Sequence, residues 1–161
     1  MIEQLLLALL LTGITVAIHV SGAVRIVLPW ASRGRHLTDY RQPREAVMLL
    51  VRLVSGLLLL HMAEMAVWAA AFTLAGVFDE FETAMYFSLK SYTTVGYGDV
   101  LPPRSWRLLG PIEAAVGVLM LGISTSIIVA AVQRIHFAGA GDGGTPDPAA
   151  RRTRNAKTDD S

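Results

Sequence analysis

The sequence predicts an all-α membrane protein with three transmembrane helices, a re-entrant pore helix and an extended segment after it. Of its 161 residues, 53% are hydrophobic and only 17% are charged, and the mean hydropathy is +0.48. Soluble domains average about 45–50% apolar and about 25% charged residues. Three stretches also reach the length of about 20 apolar residues that a bilayer crossing needs. One membrane domain with a short tail is therefore expected.

The first predicted element is an N-terminal transmembrane helix over residues 1–28. It does not fit a signal peptide, because it carries Glu3 instead of a basic start and its apolar run exceeds about 7–15 residues. It does not fit a voltage sensor either, since Arg25 is its only basic residue. We expect an anchoring or packing helix.

Loop charges predict the orientation, because basic residues near the ends of spans mark the cytoplasmic side. The basic loop 29–45 and the tail 138–161 are rich in arginine, whereas the connection 77–105 is mostly acidic. We therefore expect a multi-pass cell-membrane protein whose N-terminus is outside and whose loop 29–45 and C-terminus are cytoplasmic. The absence of cysteine and the short loops suit a bacterial inner membrane.

A second transmembrane helix is predicted over residues 46–77 and a pore helix over 80–92. The pore helix is too short to cross the bilayer. Asp79, Glu80 and Glu82 mark its start, where acidic side chains complement the helix dipole. Non-helical backbone at membrane depth must be buried in protein or line a wet cavity, so the glycine-rich segment that follows is expected to line one.

That segment, residues 93–99, reads Thr-Thr-Val-Gly-Tyr-Gly-Asp. Gly96 and Gly98 can take positive φ at little steric cost. Alternating them with Val95 and Tyr97 lets successive carbonyls point one way and the side chains the other. Four such strands around an axis would stack rings of oxygens able to replace the water shell of a cation.

This motif resembles the selectivity filter of tetrameric potassium channels, and the resemblance covers residues 46–137. It implies a homotetramer in which the filter comprises Thr94, Val95, Gly96, Tyr97 and Gly98. The carbonyls of Thr94 to Tyr97 would bind K⁺, with the Thr94 hydroxyl at the inner site. Thr93 and Asp99 would support this filter. A surface turn in an unrelated loop is the alternative, which the position between two spans disfavours.

The chain departs from the family pattern in two places. In some members tryptophans brace the filter tyrosine, but here the corresponding residues are Tyr86 and Phe87, and Phe87 donates no hydrogen bond. Some relatives hold a glutamate behind the filter where this chain has Lys90. A lysine needs a carboxylate to take a comparable role.

Ionisable groups inside spans need partners or water, since each costs at least about 2.5–3.5 kcal/mol near the membrane centre. His61, Glu64 and Trp68 share one face of the second span, and Glu113 lies near the outer end of the third. Our hypothesis is that Lys90 pairs with Glu64 or Glu113 and fastens the pore helix. The alternative is a hydrated Glu64 and a Lys90 that snorkels outward.

The inner helix is predicted over residues 106–137. Potassium channels bend this helix at a glycine, and Gly122 resembles that hinge better than Gly117 does. The run Ser124-Thr125-Ser126 could line a water cavity or bond back to helix carbonyls. The tail 138–161 has too few apolar residues for a core and is expected to be disordered.

The sequence therefore predicts a potassium-selective channel that conducts passively, with permeant K⁺ and no other cofactor. Its expected partners are three further copies and the lipid bilayer. No nucleic acid and no encoded soluble regulatory domain are expected. A weakly selective cation pore and a non-conducting scaffold remain alternatives, whereas an enzyme is disfavoured because no catalytic set of residues converges in one segment. The gating stimulus stays open.

Overall fold

The fold is a bundle of three long helices around one short helix. The computed structural model describes the backbone of residues 2–33 and 43–140 and the side chains of residues 2–27 and 44–135. Its helices are α1 (Ile2–Arg33), α2 (Pro43–Leu74), α3 (Phe81–Tyr92) and α4 (Leu109–Ala140), with a 3₁₀ turn at Arg104–Trp106. The three long helices are long and apolar enough to cross a membrane. The predicted all-α membrane fold class is confirmed.

The helix boundaries follow local chemistry. α2 ends at Leu74, three residues before the predicted end, because Gly76 takes a φ of 67° and the Val77 amide turns back to the Phe72 carbonyl at 2.9 Å. Such a glycine is the usual terminator of a helix. α4 begins at Leu109, after the 3₁₀ turn that follows Pro102 and Pro103. Most of the predicted basic loop 29–45 and of the tail 138–161 lies outside the described residues.

An apolar core holds α3 between α2 and α4. Its centre is an aromatic cluster in which Phe87 meets Phe72 edge-on at 5.4 Å between ring centroids and Phe78 at 5.2 Å. Trp68 and Leu109, both fully buried, extend this core along the two long helices. α3 is amphipathic and too short to be stable as an isolated helix, so its packing against α2 and α4 holds it in place.

α1 packs along α2 through both shape and hydrogen bonds. A methyl group added at Gly22 would lie 2.4 Å from the Leu60 side chain, so the two helices approach closely there. Trp68 Nε1 donates to Thr15 Oγ1 at 2.9 Å, and Thr15 donates to the Leu11 carbonyl at 2.8 Å. The buried polar pair thus fixes the register of α1 against α2.

The two hinge candidates have different surroundings. A Cβ at Gly117 would lie 2.1 Å from the Tyr92 carbonyl oxygen, whereas a Cβ at Gly122 would meet no atom within 4 Å. Gly117 therefore allows the last turn of α3 to rest directly on the α4 backbone. The assignment of a hinge to Gly122 stays a prediction.

Replacing Gly117 with Ala should destabilise the protein, because the new methyl group would displace backbone rather than a flexible side chain. Overpacking of this kind typically costs about 1–3 kcal/mol. Thermal unfolding of the purified full chain in detergent measures the effect. The matched variant Gly122→Ala should be neutral or stabilising, since alanine favours a helix by about 1 kcal/mol over glycine. Equal melting temperatures for both variants would contradict the packing role of Gly117.

Candidate functional site

The segment after α3 alternates in backbone handedness. Thr94, Gly96 and Gly98 have φ values of 62°, 53° and 75°, whereas Val95 and Tyr97 have no positive φ. Both glycines thus use the conformational freedom that the sequence analysis pointed out. A strand that alternates in this way is able to turn successive carbonyls toward one side, the arrangement that a row of cation ligands requires.

Thr94 is the only non-glycine residue with positive φ in the described part of the chain. A β-branched residue in this region is a genuine outlier that the surroundings must enforce. The amides of Thr94 and Gly96 donate to the carbonyls of Ser91 and Lys90, at 2.9 and 3.2 Å. Thr93 Oγ1 donates to the Leu89 carbonyl at 2.6 Å. The last turn of α3 thus fixes the first residues of the filter segment, residues 93–99.

A carboxylate clamp closes the C-terminal end of the filter segment. Asp99 accepts a hydrogen bond from Lys90 Nζ at one oxygen and from the Tyr86 hydroxyl at the other, the latter at 2.7 Å. Lys90 Nζ also lies 4.3 Å from the centroid of the Tyr86 ring. The Lys90 side chain is 7% exposed and that of Asp99 48%. A cation held by a carboxylate and an aromatic face is well placed to stay ordered.

The clamp shifts the pKa values of its two acidic groups, the Asp99 carboxyl and the Tyr86 hydroxyl. The hydrogen bond from Lys90, and then that from Tyr86, lower the pKa of Asp99 to about 2. The hydrogen bond to Asp99 raises the pKa of Tyr86 above its ordinary value. Asp99 therefore stays charged, and Tyr86 neutral, across the physiological pH range.

The hypothesis that Lys90 pairs with Glu64 or Glu113 is wrong in this structure. Ser88 contacts Glu113, and Tyr92 contacts Glu64. Lys90 lies between Ser88 and Tyr92 on α3, two residues from each. Two residues on an α-helix are about 200° apart, so Lys90 faces away from both carboxylates. It reaches Asp99 instead, which supplies the carboxylate that a lysine at this position needs.

Glu113 and Ser88 form a second cluster, between α3 and the N-terminal end of α4. Ser88 Oγ lies 2.9 Å from the Met65 carbonyl oxygen and contacts Glu113 Oε1. Glu113 is fully buried, and its Oε2 has no hydrogen-bond partner among the described residues. Through Ser88, α3 touches α2 and α4 at one point.

Glu64 is the centre of a third cluster, which joins all four helices. His19 Nδ1 donates to Glu64 Oε1 at 2.8 Å, His61 Nδ1 lies 3.3 Å from Oε2, and the Tyr92 hydroxyl donates to Oε2. His61 Nε2 lies 2.9 Å from Ser124 Oγ. All five residues are buried. Sequence reasoning noted the spacing of His61 and Glu64 but missed their partners His19, Tyr92 and Ser124. His19 could have been found, because an ionisable residue within an apolar span needs a partner.

The two polar residues that follow Ser124 bond back to their own helix. Thr125 Oγ1 donates to the Leu121 carbonyl at 2.8 Å and Ser126 Oγ to the Gly122 carbonyl at 3.0 Å. The sequence left two alternatives for residues 124–126, lining a water cavity or bonding back to helix carbonyls. Thr125 and Ser126 bond back, whereas Ser124 forms a contact between helices.

Comparison with known proteins identifies the family. A family model described as an ion channel matches residues 48–134, more than half of the chain. The chain belongs to this ion channel family, of the two-helix potassium-channel pore type. α3, the filter segment and most of α2 and α4 fall within the matched region, so the pore domain of the family coincides with the site described above.

One curated relative is TWiK family of potassium channels protein 18 from Caenorhabditis elegans. It is 32% identical over 88 residues, which cover 55% of this chain but only 18% of that protein. The chain thus matches less than a fifth of that relative's length. No solved structure matches.

Within the pore domain, the structure brings together some predicted site residues and separates others. Lys90, Tyr86 and Asp99 meet at the C-terminal end of the filter segment. Glu64 and Glu113 belong to two separate clusters behind α3. Gly117 lies beneath Tyr92 and Gly122 stands apart.

Replacing Lys90 with Met should raise the pKa of Asp99 from about 2 toward its ordinary value of 3.8. Since the pKa is lowered in the folded state, the charged clamp stabilises the fold above pH 3.8, and this contribution is lost as the pH falls through about 2. In the variant, loss of the Asp99 charge should begin at higher pH. Carboxyl ¹³C chemical shifts of labelled aspartate in lipid-embedded protein measure the titration.

Two control variants accompany this experiment. Tyr86→Phe should raise the pKa of Asp99 less than Lys90→Met does, because the tyrosine hydrogen bond is the smaller cause. Arg104→Met, which removes an exposed cation from the same connection, should leave the pKa of Asp99 nearly unchanged. An Asp99 pKa that does not move in Lys90→Met would show that the ion pair is absent in the assembled protein.

Proposed function

We propose that this chain is the subunit of a potassium-selective channel that conducts K⁺ passively across a cell membrane. The observation that carries the proposal is the alternation of positive φ at Thr94, Gly96 and Gly98 within the filter segment. Membership of the ion channel family supports conduction. The C. elegans relative is named as a member of a family of potassium channels, which supports K⁺ as the ion.

In this proposal the carbonyls of Thr94, Val95, Gly96 and Tyr97 coordinate K⁺, and the Thr94 hydroxyl completes the innermost site. K⁺ is the permeant substrate and not a resident cofactor. Gly98 continues the alternation that aims the carbonyls, and the clamp of Asp99, Lys90 and Tyr86 holds the outer end. The intact Gly-Tyr-Gly sequence favours selectivity for K⁺ over a weakly selective pore.

Four copies around one axis are required, because one chain lines only one side of a pore. Val95 and Tyr97 are 50% and 74% exposed in the single chain. Beside the filter segment lies a cavity of about 430 Å³ whose lining includes Phe87, Ser91 and Gly110. Neighbouring subunits would cover these surfaces. With Gly122 as the hinge, the inner ends of four α4 helices would open and close the pore.

The proposed orientation places the filter segment at the extracellular face, the N-terminus outside and the C-terminus in the cytoplasm. It rests on the distribution of basic residues among the connections. The bacterial inner membrane stays a prediction from the short loops and absent cysteines, and the relative reported above comes from a nematode.

The test is ion flux from liposomes that contain the purified full chain, with K⁺ or Na⁺ as the permeant ion. We expect K⁺ flux well above Na⁺ flux. Gly96→Ala should abolish it, because a Cβ at a φ of 53° costs roughly 1–2 kcal/mol per subunit, repeated in every subunit around the filter.

A matched control is Gly13→Ala, at a helical glycine of α1 with no neighbouring atom within 4 Å of the added Cβ. It should conduct as the unmodified chain does. Mass determination of the detergent-solubilised protein should give four chains. Equal K⁺ and Na⁺ flux would overturn selectivity, and no flux from a proven tetramer under any pH or voltage would favour a non-conducting scaffold.

A further inference from the structure

The Glu64 cluster contains three side chains of the types that bind transition metals. His19, His61 and Glu64 each offer one ligand atom, and these atoms lie within 4.8 Å of one another. In a tetrahedral Zn²⁺ site with bonds of about 2.0–2.1 Å, ligand atoms lie roughly 3.3–3.5 Å apart. The distance from His61 Nδ1 to Glu64 Oε2, 3.3 Å, matches that spacing. His19 Nδ1 lies 2.8 Å from Glu64 Oε1, a hydrogen-bond distance, so the His19 ring has to move slightly outward to admit an ion.

The charge of the cluster favours a bound cation. Glu64 is fully buried within a membrane-spanning helix, where an ionised carboxylate needs compensation. Its hydrogen-bond partners are two histidines and a tyrosine, none of which carries a fixed positive charge. A divalent ion would supply that charge and be held by two imidazoles and one carboxylate, a ligand set that zinc enzymes use.

The surroundings also orient the ligands. A metal-binding histidine usually donates its second ring nitrogen to an oxygen acceptor, which fixes its tautomer. His61 meets this condition, since its Nδ1 faces Glu64 and its Nε2 lies 2.9 Å from Ser124 Oγ. The Tyr92 hydroxyl, 3.0 Å from His61 Nδ1, stands where it can complete the coordination or hold the carboxylate. His19 Nε2 has no partner among the described residues, so His19 should be the weaker of the two histidine ligands.

We propose that His19, His61 and Glu64 form a binding site for a transition-metal ion of the zinc class, built between α1 and α2. The bound ion fastens the additional N-terminal helix to the pore domain. Through Tyr92 and Ser124 it also reaches the end of the pore helix and the inner helix. The proposal does not depend on conduction, and its test needs none.

The experiment measures Zn²⁺ binding to the full-length protein in detergent after treatment with a chelator, by calorimetry and by metal analysis. We expect one Zn²⁺ per chain and no competition by Mg²⁺ or Ca²⁺, because imidazole ligands disfavour hard cations. Ser124→Ala should weaken binding by about 10–100-fold. His61→Gln and Glu64→Gln should each weaken it by at least that much, and His19→Gln somewhat less than His61→Gln.

Two further arms keep the result independent of folding defects. The double variant His36→Gln, His136→Gln removes the other two of the chain's four histidines and should bind Zn²⁺ unchanged. His19→Cys introduces a single thiol into a chain that has none, so bound Co²⁺ should gain a thiolate charge-transfer band in addition to the visible bands of tetrahedral coordination.

The proposal is overturned by any of three results. The unmodified protein could bind no Zn²⁺, which would leave the cluster as a network of shared protons. All three ligand variants could keep the affinity of the unmodified chain, which would place the metal elsewhere. Co²⁺ bound to His19→Cys could lack the thiolate band, which would exclude position 19 from the coordination sphere.

Discussion

The placement of α3 between α2 and α4 determines where the filter segment lies, and three alternate side chains of its last turns secure that placement. Ser88, Lys90 and Tyr92 each contact a carboxylate, from Glu113 on α4, Asp99 in the filter segment and Glu64 on α2. Because Ser88 and Tyr92 are four residues apart, they share the face toward the bundle, and Lys90 faces the opposite way. One short helix is thereby fixed to the bundle on one side and to the filter segment on the other.

This arrangement also accounts for the strained backbone at Thr94. A β-branched residue keeps a positive φ only if neighbouring contacts leave it no alternative. The carbonyls of Ser91 and Lys90 accept hydrogen bonds from the amides of Thr94 and Gly96 near the start of the segment, and the clamp at Asp99 holds its C-terminal end. The filter segment is therefore fixed at both ends by the same helix, and the exposed Val95 and Tyr97 between them remain to be covered by assembly.

The sequence was sufficient for features set by local chemistry and insufficient for those set by packing between distant residues. Three spans, a short helix and the positive φ of Gly96 and Gly98 follow from apolar length and from glycine itself. Nothing in a threonine side chain indicates positive φ, so the backbone conformation of Thr94 could not be predicted. The partner of Lys90 was also missed, because the choice among three carboxylates depends on which face of α3 a residue occupies. His19 and Glu64 are separated by 45 positions, and only the packing of α1 on α2 brings them together.

The same packing gives the additional helix a direct connection to the pore. Among the contacts of α1, the bond from His19 to Glu64 and that from Trp68 to Thr15 are polar and buried, and such contacts are costly to break in a membrane because no water replaces them. Glu64 in turn holds Tyr92, the last residue of α3, whose next neighbours begin the filter segment. His61, bound to the same carboxylate, touches Ser124 two residues beyond Gly122. A displacement of α1 would therefore either shift Glu64 and with it its contacts to α3 and α4, or leave this buried carboxylate without its hydrogen bond from His19.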